Sequence, residues 1–433
     1  MAGYEPDALV TVRPFAHQRE KDSVTIGDLE RQVYLSIPPE GLDILESLRA
    51  GHTVAETVHR YQQKHGETPD IDDFLGVLAA EGFVASPQLS AASGDAAAHT
   101  PAADSAGAPQ APRWTWSVSW ITPDLARRLA SWPVLALFGV AIAFSVFLEF
   151  RDPSLIKNAT ILLFPKHFAA LTWATVALSL VGVVIHELGH LVAARAVGVP
   201  ASIGFGNRLY YIVAETHMSG IWLHPRRQRY VAFLAGPLID LLIIALLIIL
   251  LAAHRAGFVG LPWAAAQLVA ALIFVTLIRF VWQTFFFIRT DFYFTFATLF
   301  NCKNLMADTE TFLRNLLARL RRSGDVVDQS GIPRREMWVI RCYSVVWLAG
   351  RVMALGALFL IMLPLLAGYV VEGGRYLTGR PSLFGSVDFA TVVALAFIFQ
   401  GGGIMLWARG LYKGWKASRS VEAAPVSQPA AAP

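Results

Sequence analysis

The stretch VGVVIHELGHLVAARAVG, residues 181–198, decides how the whole chain is read. It is apolar apart from His186, Glu187, His190 and Arg195, and it contains no proline. On a helix, positions i and i+4 share a face, so His186 and His190 present their imidazoles to one point with Glu187 beside them. Two histidines at that spacing suit a zinc ion, and the adjacent glutamate suits proton transfer from a metal-bound water. The bland alternative is a polar cluster that only packs helices together. Ionisable groups inside an apolar span are costly and are functional by default, which favours the metal.

The surroundings are those of a membrane protein. Of 433 residues, 55% are hydrophobic and 16% charged, with mean hydropathy +0.48; soluble domains carry about 25% charged residues. Apolar runs of roughly the 20 residues that a bilayer requires fall at 132–150, 168–197, 230–253, 262–288, 345–368 and 386–407. The expected fold is therefore mostly α, a polytopic helical membrane protein of about six spans with a small N-terminal α+β domain. The net charge of +4 calls for no nucleic-acid partner. Cys302 and Cys342 form neither a disulfide framework nor a cysteine-rich zinc pattern. The first 15 residues hold no apolar signal segment, so insertion through the spans themselves is expected.

Charge in the loops predicts orientation. Arg127, Arg128, Arg226, Arg227 and Arg229 fall on one side, with the run from Arg289 to Arg341 and then Arg409, Lys413, Lys416 and Arg419. The other side holds Arg151, Lys157, Lys166, Arg255, Arg375 and Arg380. Positive charge collects on the inner face, so both termini are expected in the cytosol of an inner-membrane protein. His186 and His190 then arrive near the cytosolic end of span 2.

Boundaries follow from composition. Residues 1–85 read as a strand at 33–37 followed by three short helices, the second capped by Thr53, which together suggest a winged helix. Residues 86–112 are Ala-, Ser-, Pro- and Gly-rich and read as a flexible linker; Trp114, Trp116 and Trp120 extend it to 130 as an interfacial segment. The membrane-embedded core that carries the histidines is assigned to 131–300 and a cytosolic loop with an amphipathic helix at 305–320 to 301–344. Two further spans occupy 345–410, and a basic, then disordered tail 411–433. Arg208–Val213 and Met218–Leu223 could form a hairpin, and His217 and His224 read as ordinary loop histidines. Asp240 and Arg279 each lie at comparable depth in their spans, roughly 15 Å from the end. They are expected to pair structurally, with Asp240 as a metal ligand the minor alternative.

The HELGH segment, followed by LVAAR and Gly198, resembles the site-2 protease family of intramembrane zinc peptidases. RYVAFLAGPLID, residues 229–240, is similar to the small-residue AGP step of that family. RTDFYF, residues 289–294, resembles the R-F-D-G-Y-Y of a bacterial peptide-metalloprotease variant, which implies Asp291 as third ligand. Phe292 replaces the glycine, and the Asn-Pro usually upstream is absent; Gln283 is the nearest amide that could contact substrate or an oxyanion. The resemblance implies a zinc endopeptidase with Glu187 as general base and a peptide or membrane-protein substrate. In the family, a hairpin near the site receives an extended substrate strand. Residues 24–84 resemble PqqD-like domains, which bind leader peptides, in RQVYLSI, Pro39-Glu40-Gly41 and the closing LGVLAAEGFV. Maturation of a ribosomally made peptide would follow. Three competitors stand beside this reading. An inactive protease-like binder or chaperone would keep the fold without turnover. A diiron oxidase would need several histidine boxes, and one is present. A DNA-binding regulator would need a basic recognition helix, which the first 85 residues lack.

Overall fold

The computed structural model describes residues 4–20, 23–28, 31, 33–84, 115–157, 164, 166–208, 211–302, 304–322, 326–329, 332, 334–379, 386–410 and 412. The linker 86–112, Trp114, Lys303, Arg380 and the tail from Lys413 lie outside them. The chain divides into two compact units, one of Met1–Ala108 with Met218–Arg229, the other of Pro109–His217 with Tyr230–Pro433.

In the first unit, β1 (Ala16–Arg19), β2 (Val24–Asp28) and β3 (Val33–Ile37) form an antiparallel meander in that order. Three helices follow: α1 (Gly41–Arg49), α2 (Val54–His65) and α3 (Ile71–Ala80). The expected strand and helices are present; β1 escaped the sequence reading because the polar AHQR carries no apolar alternation, and β2 because its alternation spans only Val24 and Ile26 before Gly27. Thr53 and Glu56 close a capping box on α2, which satisfies two N–H groups that the first turn leaves unpaired. Val24, Ile26, Ile37, Leu42, Leu45, Leu75 and Leu78 make the core. The segment 218–229 joins this unit through Arg229, which is 1% exposed. Its guanidinium donates to His224 O and Trp222 O, both at 2.8 Å, and meets Glu20 Oε1 at 2.5 Å.

The second unit is helical. It comprises α4 (Pro123–Leu129), α5 (Trp132–Arg151), the single turn α6 (Ser154–Lys157) and α7 (Phe168–Ala196). Next come α8 (Arg226–Arg255, its first turn in the other unit), α9 (Trp263–Trp282), α10 (Asp291–Phe300) and α11 (Leu305–Arg321). The chain ends in α12 (Arg334–Ala357), α13 (Leu363–Leu377) and α14 (Ser386–Leu395). Among the described residues, six helical stretches are long and apolar enough to cross a membrane: Pro123–Arg151, Phe168–Ala196, Arg226–Arg255, Trp263–Trp282, Arg334–Leu360 and Val387–Gly410. This is a polytopic helical membrane protein.

Some boundaries differ from the sequence reading, each for a local reason. The fourth span ends at Trp282, because Thr290 caps a new helix by accepting from Tyr293 N. The fifth begins at Arg334, because Val339, Ile340 and Tyr343 bury themselves with Leu305 and Met306 of α11. That contact makes the first half of α11 a packed helix, while Leu316, Leu317 and Leu320 stay exposed. Residues 115–130, read as interfacial, form the strand β4 (Thr115–Trp116) and α4, and bury Val118, Ile121 and Ala126.

The hairpin is β5 (Ser202–Arg208) with β6 (Tyr211–His217), in a sheet of order β4-β5-β6. The expected pairing of Arg208–Val213 with Met218–Leu223 is therefore wrong. Arg208 closes the first strand opposite Tyr211, and Ser219–Leu223 winds into a 3-10 turn. Arg195 ties the sheet to α7: its guanidinium donates to Val118 O, Ile121 O and Ala201 O.

Candidate metal centre

The 29 residues of α7 have two characters. Leu178, Leu180, Val181, Val184 and Ile185 are exposed, as a lipid-facing surface would be. One turn later, His186, Glu187, His190, Leu191, Ala193 and Ala194 are buried. Gly189 allows α8 to approach, since a Cβ there would lie 2.8 Å from Ile239 Cγ1 and 3.2 Å from Ala235 O.

Three side chains converge on this turn. Asp291 Oδ2 lies 3.1 Å from His186 Nε2 and 3.2 Å from His190 Nε2, and the two Nε2 atoms are 3.3 Å apart. Asp291 is the first residue of α10, where the positive end of the helix dipole favours a carboxylate. Its loop is fixed at both ends. Thr290 Oγ1 donates to Gln283 O at 2.8 Å, and Asp291 N donates to Gln283 Oε1 at 3.1 Å. Gln283 thus holds the Asp291 loop through its amide oxygen. Phe292 turns aside and packs edge-on against Phe280, ring centroids 5.7 Å apart.

Behind the cluster, Asp240 is fully buried and Arg279 Nη2 meets its Oδ1 at 2.5 Å. His217 Nε2 lies 3.8 Å from Glu215 Oε1, and His224 Nδ1 lies 2.8 Å from Gln228 Oε1; neither joins the cluster. Two contributors were not named as site residues from the sequence. Thr216 Oγ1, on β6, lies 2.7 Å from Glu187 Oε2 and 3.0 Å from Glu187 O. A Cβ on Gly236 would overlap His186 Nε2 and His190 Nε2. Gly236 stands within the AGP step, which was the available signal for it; Thr216 had none.

A model of Peptidase family M50 matches residues 174–401, more than half of the chain. The chain belongs to peptidase family M50. No curated protein and no solved structure gives a significant match. M50 peptidases are zinc-dependent intramembrane metalloproteases, and the donor set here fits that ion. Four ligands held tetrahedrally at zinc distances of about 2.0–2.1 Å are about 3.3 Å apart, against the 3.1, 3.2 and 3.3 Å of the three atoms present. Three lone-pair donors this close repel one another unless a cation or proton lies among them. The bare face of Gly236 leaves the room.

Proposed function

We propose that this M50 chain is a membrane-embedded zinc endopeptidase that cuts a peptide or membrane-protein substrate near the cytosolic face. The observation that carries the reading is the His186, His190 and Asp291 triangle with a buried glutamate next in sequence to its first member. His186, His190 and Asp291 would hold the ion. When bound, zinc supplies Lewis acidity that brings a water within reach of a weak base at neutral pH. Glu187 accepts the proton of that water and returns it to the leaving amine. Thr216 holds Glu187 Oε2 in place for both transfers. Burial of Glu187 and both histidines keeps bulk water from competing for the proton.

The excess of arginine and lysine on the loops assigned inward supports cytosolic termini and an inner-membrane location. The PqqD-like sequence pattern of residues 24–84 supports capture of a leader peptide, and maturation of a ribosomally made peptide as the biological role. A tethered capture domain raises the effective substrate concentration without a new contact at the metal.

The test is Glu187→Gln in cells and in purified protein. Peptide products of the wild type should vanish while one zinc per chain is retained. Wild-type protein that binds zinc yet yields the same peptides as Glu187→Gln would favour a protease-like binder instead.

A further inference from the structure

Ala232, Gly236 and Asp240 recur every four residues along α8, and so occupy one face of that helix. Each addresses the histidine pair of α7. Ala232 O lies 2.7 Å from His190 Nδ1, Gly236 leaves open the space in front of both Nε2 atoms, and Asp240 Oδ2 lies 3.0 Å from His186 Nδ1. A backbone carbonyl can only accept, so the proton of His190 sits on Nδ1 and its Nε2 lone pair faces the cluster.

The same reasoning extends to His186. Arg279 binds the other oxygen of Asp240 through Nε at 3.1 Å and Nη2 at 2.5 Å. A carboxylate so paired is an acceptor, and its other oxygen, Oδ2, lies 3.0 Å from His186 Nδ1; both atoms are buried and neither makes a hydrogen bond elsewhere. We infer that Asp240 is a positioning residue for the metal: held by Arg279, it fixes the ring and tautomer of His186 and strengthens Nε2 as a donor. The pair is thus more than a brace between α8 and α9. Carboxylates behind metal-bound histidines generally act in this way.

The inference rests on the zinc reading of the triangle, and the experiment separates the two. Zinc Kd is measured by chelator competition on full-length protein in detergent, with thermal unfolding as the check on folding. Asp240→Leu with Arg279→Met removes the acceptor and both charges together, an exchange that buried ion pairs often tolerate. A Kd weakened about 100-fold is expected. Asp240→Asn with Arg279→Gln keeps a neutral acceptor and should weaken Kd about tenfold; it serves if the apolar pair does not fold. Wild-type Kd in either folded variant overturns the inference and leaves the pair structural. Failure of the wild type itself to bind zinc overturns the metal reading instead.

Discussion

Gly236→Ala tests the metal centre at its tightest point. The added Cβ would stand 2.7 Å from His186 Cε1 and closer still to both Nε2 atoms. Carbon atoms rest at about 3.5–4.0 Å, so something must move by about 1 Å. His190 is anchored through Nδ1 at 2.7 Å to Ala232 O, and His186 Nδ1 lies 3.0 Å from the Arg279-held Asp240 carboxylate. Gly189 packs α7 against the same helix, so the backbone cannot yield freely. Metal sites tolerate departures of about 0.2 Å in ligand distance. A shift about five times larger should abolish stoichiometric zinc, while overpacking costs about 1–3 kcal/mol of stability. The assay is metal analysis of detergent-purified protein beside its thermal unfolding. Folded Gly236→Ala with one zinc at wild-type affinity would refute the placement of the ion in this cradle.

Thr216→Val deletes the hydroxyl beside Glu187 Oε2. Hydrogen bonds to charged groups contribute about 1.5–3 kcal/mol, so kcat should fall roughly 10–100-fold with zinc content unchanged; equal loss in Thr216→Ser would show that the hydroxyl is not the cause. Burial raises Asp308 on α11 from 3.8 to about 6. The folded state then keeps a proton that the unfolded chain has lost, so stability should fall as pH rises from about 4 to 6 and stay reduced above. Asp308→Asn should flatten that slope in thermal unfolding, and an unchanged slope would assign it to another group.

The helices were legible because lipid selects for composition and length, which a single sequence displays. His186, Glu187 and His190 were legible because one helix sets their spacing. Asp291 lies 101 positions beyond His190, and no local rule joins them; it was found only through a likeness in RTDFYF. Thr216 was hidden because the register of β5 with β6 brings it to Glu187, and the hairpin was misplaced in the sequence reading. Strand β4 was missed because its two residues pair with Gly204 and Ile203, nearly 90 positions away. A strand of two residues is also too short to show the period-two alternation by which strands are read.

The separation of Asp291 from the histidines sets a schedule for biosynthesis. His190 leaves the ribosome 101 residues before Asp291, and His186 earlier still, a lag of roughly 5–20 s at 5–20 residues per second. Throughout that interval the nascent chain offers two imidazoles and no carboxylate partner from α10. The full-affinity site comes into being only once α10 has emerged and its loop has closed on Gln283. On the zinc reading, capture is expected to follow translation of the first four spans, and a chain truncated before residue 291 is expected to lose stoichiometric zinc.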